Sequence, residues 1–387
     1  MSQSTSDPIV IVGAKRTPQG RLLGKLAHYS SLDLAVAAGK AALGEIPASA
    51  IDLAIVGNVL PPIINVSRQM ALKLGIREEA ACFSINMVCA SGLKAVALAA
   101  NALQLGEAEV VLCGGTESMS NAPHFLPRAR AGYRLGDATV VDSLMLGLSD
   151  PIIGESMAQT AQRLAERYQV SREDQDRFAH GSQQKAVTAQ NNNVFADELA
   201  ILPELEKDEH PRADTTLERL GTLKPVLGAG TSITAGNASG INDGAAMLVL
   251  CKLSTATRNG WKPLARFSGH TSVGCDPKVM GEGPVHAIRK LLGLHGRELS
   301  QFDAIEINEA FAAQVLACSR QLGIDDCDPR VNRYGGGIAL GHPVGASGAR
   351  LAVHLAHQAA QGKIESGLAS LCAGGGMGIA AIIEPVR

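Results

Sequence analysis

The chain has 387 residues, 46% of them apolar and only 3% aromatic, with 42 glycines, eight cysteines and a formal net charge of -2. That length exceeds one ordinary hydrophobic core and implies two or three domains, and the balanced charge lacks the basic footprint of a nucleic-acid binder. No charged segment precedes an apolar signal region, no uninterrupted apolar run is long enough for a bilayer, and the cysteines form no Cys-x-x-Cys pair of the kind used in zinc sites. A cytoplasmic, reducing setting is expected, with no membrane, nucleic-acid or metal partner.

A polar start, Met1–Pro8, runs into an apolar β segment, Ile9–Val12, followed by a loop with Gly13, Pro18 and Gly20. Ser30 or Ser31 is placed to cap a helix from about Leu32 to Leu43. Leu53–Val56 reads as a buried strand ended by Gly57-Asn58, Ala80–Ile85 as another, and Val110–Cys113 as one stopped by Gly114-Gly115. Helices alternating with short buried strands indicate an α/β sheet flanked by helices. From about Ser118 to Ile241 the texture changes. The polar helices Ser156–Tyr168 and Arg172–Asn191 and the charged stretch Glu204–Arg212 read as an inserted lobe suited to ligand contacts. A glycine-rich return, Thr234–Gly244, leads into the strand Ala246–Leu250.

The late part of the chain repeats the early part. Ala90-Ser91-Gly92 opens an Ala/Leu-rich helix reaching Gly106, then a strand ending Cys113-Gly114-Gly115. Ala346-Ser347-Gly348 opens another helix of the same span reaching Gly362, then a strand with Cys372-Ala373-Gly374-Gly375. Asp52–Asn58 likewise echoes Asp303–Asn308. Two matching pairs in one order imply two homologous α/β halves around an unpaired middle.

Cys89 sits between a strand and a helix start, where unpaired N–H groups and the positive end of the dipole favour thiolate. A buried structural cysteine is the plainer reading of an isolated thiol. His342, in Gly341-His342-Pro343 just before the duplicated helix start, approaches Cys89 if a pseudo-two-fold axis relates the two halves, and is then positioned to take its proton. Cys372, read as ending the last internal strand, precedes Gly374-Gly375-Gly376, whose N–H groups can converge on an anion. Asn308 follows a buried strand and either orients a water or caps a helix over Glu309–Leu322. All four stand at strand ends or helix starts on one side of the sheet, as a crevice site requires.

Ala14–Pro18, the Cys89 segment, Asn308–Phe311, Gly341–Pro343 and Cys372–Gly378 resemble the thiolase family in order and spacing over essentially the whole chain. The resemblance implies a five-layered α-β-α-β-α fold of two duplicated halves plus an inserted loop domain. The N-terminal half would be residues 1–117 completed by about 242–262, the loop domain 118–241, and the C-terminal half 263–387. It implies a ping-pong reaction in which Cys89 attacks an acyl-CoA after His342 takes its proton, and Cys372 removes the α-proton of a second acetyl-CoA. His342 with an Asn308-held water, and the N–H groups of Cys89 and Gly374, would form two oxyanion sites. The substrates implied are acetyl-CoA, acyl-CoA and CoA, with no further cofactor. Ser239, Leu148, Met157, Ala235, Met280, Ala310 and Phe311 would line the acyl and pantetheine path, and Arg212 the nucleotide phosphates. A homodimer or homotetramer is implied.

Acetyl-CoA C-acetyltransferase activity is the leading expectation, with longer-chain 3-ketoacyl-CoA cleavage as the alternative. A decarboxylating ketosynthase would use a Cys-His-His set without the second thiol, and a non-catalytic CoA- or lipid-binding relative would be expected to lack one of the three groups. Ser156, Gln159–Gln162, Leu227, Tyr334 and the short loop Pro61–Arg68 depart from the family pattern and are read as reshaping the acyl pocket.

Overall fold

The computed structural model describes residues 7–61 and 63–387, so residues 1–6 of the polar start and Pro62 of the Pro61–Arg68 loop lie outside the described residues. Among the described residues the main sheet has ten strands, nine of them in one path: β1 (Ile9–Arg16), β2 (Leu53–Gly57), β3 (Ala81–Ile85), β4 (Val110–Ser118), β5 (Asn242–Lys252), β6 (Ala265–Gly274), β7 (Ala304–Ile307), β8 (Gly367–Ala373) and β9 (Met377–Glu384), with the two-residue strand Gly20–Arg21 pairing off the path onto β5. Eight helices matter here: α1 (Ser31–Leu43), α2 (Val66–Lys73), α3 (Ser91–Leu105), α4 (Met157–Arg167), α5 (Arg172–Asn191), α6 (Gly283–His295), α7 (Ala312–Leu322) and α8 (Ser347–Ala360).

The strand order is β7-β8-β9-β6-β1-β5-β4-β2-β3. Read outward from the middle, β6-β9-β8-β7 mirrors β1-β5-β4-β2, with parallel pairing only between β7 and β8 and among β2, β3 and β4. This is the duplication made visible. The halves meet through two residue pairs, Val10↔Arg266 and Ile11↔Ala265, so the two sheets join edge to edge. Alternation along the strands assigns the layers. Ile9, Ile11, Leu53, Ile55, Val111 and Leu248 face the central helices α3 and α8, as do Leu371, Ile379 and Ile383 from the other half. Val10, Ala54, Val56, Leu112 and Val249 face α1 and α2 on one outer side. Ile305, Ile307, Leu368 and Ile382 face α6 and α7 on the other. Five layers result.

Ala-rich sequences make the central layer thin. A Cβ on Gly92 of α3 would lie 2.7 Å from the Ala349 nitrogen of α8, and one on Gly348 of α8 would lie 2.5 Å from the Leu93 nitrogen of α3. The contact is reciprocal because the two helix starts are pseudo-symmetric. The apolar segment Val88–Leu105 has a mean hydropathy of 1.4, enough on length and composition for a bilayer, but it carries Lys94 and Asn101 and 61% of it is buried in this layer.

Three strands outrun the sequence expectation, β5 running over Asn242–Lys252 where Ala246–Leu250 was expected. β1 continues past Gly13 to Arg16 through a bulge between Ile11 and Gly13, because β5 keeps pairing with it. β4 continues through Gly114 and Gly115 to Ser118 for the same reason. Ser30 is the α1 cap, in a capping box with Asp33. Between Ser118 and Asn242 the chain leaves the sheet, and buried ion pairs hold this excursion down. Arg16 of β1, 1% exposed, binds Glu198 at 2.7 Å and Asp208 at 2.7 Å, while His354 of α8 meets Glu198 at 2.9 Å. Burial works against the Glu198 carboxylate, but Arg16 and His354 outweigh it and hold its pKa well below the usual range.

Candidate active site

Cys89 lies in the tight turn between β3 and α3. Val88 has φ 50°, a left-handed conformation that costs a β-branched residue about 1–3 kcal/mol. Hydrogen bonds hold it there. Val88 N–H donates to Asn86 Oδ1 at 2.9 Å, Met87 N–H to Ser91 Oγ at 2.8 Å, and the Ser91 hydroxyl to the Val88 carbonyl at 2.7 Å. The thiol packs among Leu60, Met119, Leu144 and Val344, with Val59 and Leu148 beside them.

Cys372 is the penultimate residue of β8, and β9 follows, so it does not end the last strand. Gly374-Gly375-Gly376 is the turn of the β8–β9 hairpin, with Ala373 paired to Met377, and Gly375 and Gly376 at φ 81° and 77°. Cys275 N–H donates to the Gly376 carbonyl at 2.7 Å and fixes the turn from below. The turn aims the Gly374 N–H at the Cys89 sulfur, joined there by the N–H of Cys89 itself. Cys372 is fully buried in a cluster with Met280 and Ala310, flanked by Met157 and Phe311.

Burial pushes the Cys89 thiol up to about 11, against the two amides, and the nearby Glu117 carboxylate adds to the rise. The local expectation of a stabilised thiolate is therefore overturned: desolvation outweighs the helix terminus, and the resting group is a thiol. Burial also drives Cys372 well above the usual thiol range, and ionisation of neighbouring Cys89 would drive it further. Burial, aided by Arg350, lowers His342 to about 4.

His342 is held by its backbone N–H donating to Asn242 Oδ1 at 3.0 Å and by its Nδ1 lying 2.5 Å from Ser347 Oγ. Ser347 Oγ also lies 2.8 Å from the Pro343 carbonyl; with its hydroxyl proton directed there, Nδ1 carries the hydrogen and donates to Ser347. In that tautomer Nε2 carries the lone pair that can accept a proton. Asn308 Nδ2 lies 3.4 Å from Nε2, consistent with the same tautomer. Asn308 does not cap a helix: α7 begins at Ala312 after an uncapped Phe311, and the buried Asn308 Oδ1 has no protein partner.

Glu117 ties these pieces together. It is fully buried and accepts from Val59 N–H at 3.0 Å, Leu60 N–H at 3.1 Å, Gly345 N–H at 3.0 Å and Asn58 Nδ2 at 2.8 Å. Val59 and Leu60 wall the Cys89 pocket, and Gly345 belongs to the His342 loop. The sequence reading missed Glu117, which lies beyond the presumed end of β4. Ser347 was also missed as a partner of His342, although its repeat equivalent Ser91, buttressing the Cys89 turn, was the signal that could have found it.

Of the residues expected on the substrate path, Leu148 packs beside Cys89, and Met157, Met280, Ala310 and Phe311 surround Cys372. Ser239 joins them, its N–H donating to the Ala310 carbonyl at 2.9 Å. Arg212 and Ala235 lie apart, in a separate cleft of about 350 Å³ that also holds His210 and Arg219. A second cleft, of about 520 Å³, opens beside Gly374 and includes Pro61 of the short loop. Tyr334 does not reshape the acyl pocket: it packs edge-on against His354 at 5.5 Å, near Phe195 and Ala339. Ser156 caps α4 in a capping box with Gln159. Among the described residues, no group of three or more His, Cys, Asp or Glu is placed to hold a metal ion.

Residues 9–254 match the family described as thiolase, N-terminal domain, and residues 261–385 that described as thiolase, C-terminal domain. The chain is 46% identical to an acetyl-CoA acetyltransferase of Escherichia coli, over 97% of this chain and 98% of that one. It is 41% identical to the human mitochondrial 3-ketoacyl-CoA thiolase, over 97% and 98%. Among solved structures, the Bacillus anthracis acetyl-CoA acetyltransferase superposes with TM-score 0.95 at 40% identity, covering 98% and 99% of the two chains. The human mitochondrial 3-ketoacyl-CoA thiolase in complex with CoA does so with TM-score 0.96 at 40% identity, covering 98% of each.

Proposed function

The chain belongs to the thiolase family, and we propose that it is an acetyl-CoA C-acyltransferase, foremost an acetyl-CoA C-acetyltransferase, joining two acetyl-CoA or cleaving a 3-ketoacyl-CoA with CoA. What supports this is the meeting of the Cys89 and Gly374 N–H groups on the Cys89 thiol, with the fully buried Cys372 thiol close enough to be raised by its charge.

His342 Nε2 takes the Cys89 proton as the sulfur attacks the thioester carbonyl. The oxyanion forms against the two N–H groups, a contribution of about 10²–10³ in rate per donor. As the tetrahedral adduct collapses, Cys372 gives its proton to the departing CoA sulfur and becomes a thiolate. A thiolate in so buried a place is a strong base, matched to the weakly acidic α-carbon of acetyl-CoA. The resulting enolate oxygen rests against His342 and a water oriented by Asn308. Its carbon attacks the acyl-cysteine, and the expelled Cys89 sulfur regains the proton from His342. The steps balance and run equally in reverse.

The CoA-bound human relative supports CoA thioesters as the substrates. The Arg212 and Arg219 cleft suits the nucleotide phosphates, with Ala235 on its wall and Ser239, Ala310 and Phe311 along the pantetheine arm. Strand β3 ends the sheet with Phe83 exposed, an edge suited to pairing with a second copy, and the exposed Leu126, Tyr133, Leu135 and Val140 suit further association into a tetramer. Eight free cysteines suit a reducing cytoplasm. The test is thiolysis of acetoacetyl-CoA by the purified protein. Turnover abolished by Cys89→Ala supports the reading, and no turnover by the parent overturns it.

A further inference from the structure

We propose that Glu309 is a positioning residue for the second half-reaction alone: it clamps the short helical turn Gly337–Leu340 against Asn308, and so keeps Asn308 set to orient the water at the enolate oxygen. The proposal deepens the thiolase reading above and rests on it.

Glu309 follows Asn308 just beyond the end of β7 and is buried. Three donors from three segments meet its carboxyl. The Ser182 hydroxyl of α5 donates to Oε2 at 2.6 Å, Ile338 N–H to Oε2 at 3.1 Å, and Asn332 Nδ2 to Oε1 at 2.9 Å. Each donor is fixed in its role. Ser182 Oγ accepts from Gly336 N–H at 3.2 Å, at the start of the turn, and its own hydrogen goes to Glu309. The Asn332 amide is locked on β7, where Oδ1 accepts from Ile307 N–H at 2.9 Å and Nδ2 also donates to the Ile307 carbonyl at 2.9 Å. Burial raises the Glu309 pKa, against these hydrogen bonds and the Lys185 cation. A group surrounded by donors only is built for a carboxylate.

The clamped turn lies directly on Asn308. A Cβ on Gly337 would come within 3.3 Å of Asn308 Oδ1 and 2.9 Å of the Glu309 carbonyl oxygen, and one on Gly336 would overlap the Glu309 carboxyl. Asn308 has little else to orient it: Nδ2 stands 3.4 Å from His342 Nε2, and Oδ1 has no protein partner. Its side-chain direction therefore depends on the packing around it. His342 differs, with its own anchors in Asn242 and Ser347, while Gly345 of its loop is held by Glu117. Loosening Glu309 reaches Asn308 and leaves the acylation machinery in place.

Two rates on the intact protein test this: quench-flow acetylation of Cys89, and deuterium wash-in to the acetyl-CoA methyl group in heavy water, which reports enolisation. In Glu309→Gln, wash-in should fall by about 10–100-fold, as for a displacement of up to about 1 Å, and acetylation by less than about threefold. Ser182→Ala removes one donor but keeps the carboxylate, and should show a smaller loss with the same selectivity; it decides alone if the glutamine variant does not fold. In an Asn308→Ala background, Glu309→Gln should slow wash-in by no more than about a further twofold, because the side chain it positions is gone. Acetylation and wash-in falling together, wash-in unchanged in the single variants, or the full loss repeated in the Asn308→Ala background would each overturn the positioning role. Acetoacetyl-CoA turnover by the parent leaves the thiolase reading standing in all three cases, and a parent that neither acetylates nor exchanges overturns both.

Discussion

Glu117→Gln is the most revealing single substitution in this site. Oε1 of Glu117 serves Asn58 Nδ2 and Leu60 N–H, and Oε2 serves Val59 N–H and Gly345 N–H. Glutamine has the same shape but only one accepting oxygen. Whichever way its amide sits, two buried donors lose their acceptor and face an NH₂ group. An unpaired buried donor costs about 1–3 kcal/mol, and the neutral amide recovers part of this by avoiding the buried charge whose burden pushes Glu117 up to about 8. A net loss of about 2 kcal/mol is expected, read as a lower thermal midpoint. The catalytic effect should be larger. The Cys89 wall and the His342 loop lose their shared anchor, and misplacement by about 1 Å can cost about 10²-fold. Quench-flow measurement of acetyl-enzyme formation should show that loss in rate, with KM for acetyl-CoA changed little because Glu117 does not line the cleft proposed for the CoA nucleotide. Acylation at the parent rate would refute Glu117 as the joint between the two loops.

Other outcomes follow from the same geometry. Free Cys89, pushed up to about 11 beside a neutral His342 lowered to about 4, should react with a small uncharged alkylating agent at a rate that climbs through neutral into alkaline pH; a plateau from about pH 6 would mean a preformed ion pair. Because the folded pKa of His342 lies below its usual 6.5, its contribution to stability is present above that value and lost as pH falls through about 4, so His342→Gln should flatten the acid limb of a thermal-midpoint profile. Ser347→Ala removes the acceptor of the Nδ1 hydrogen and should lower kcat by about 10–100-fold with KM little changed, while Ser347→Thr retains much of the rate; equal losses in both would deny the tautomer role. Gly115→Ala should destabilise by about 1–3 kcal/mol and slow acylation, because its Cβ would overlap the Gly345 carbonyl oxygen; an unperturbed thermal midpoint would show that the His342 loop yields freely.

The residues of the site were legible because each announces itself locally. Cys89 and His342 precede helix starts related by the repeat, and Cys372 and Asn308 stand at strand ends. What escaped depends on distant contacts. Gly13 and Gly114-Gly115 read as strand breakers, yet they are strand residues where another segment's carbonyl comes too close for a Cβ: Ala42 at Gly13, Ala246 at Gly114 and Gly345 at Gly115. Glu117 finds its donors 57 to 228 residues away, beyond any local window. The thiol state of Cys89 was misjudged for a related reason: a helix start is visible in sequence, whereas desolvation is a property of the finished fold. Tyr334 departs from the family pattern and reads as reshaping the acyl pocket, but its ring packs edge-on against His354.

The central claim is a division of labour between two thiols. The direct measurement is peptide-resolved mass spectrometry of parent, Cys89→Ala and Cys372→Ala proteins quenched after mixing with acetyl-CoA, with acetoacetyl-CoA followed in parallel. One acetyl group should appear on Cys89 in the parent and in Cys372→Ala, with no carbon–carbon bond formed by the latter and neither event in Cys89→Ala. Acetylation of Cys372 in place of Cys89, or undiminished condensation by Cys372→Ala, would contradict it.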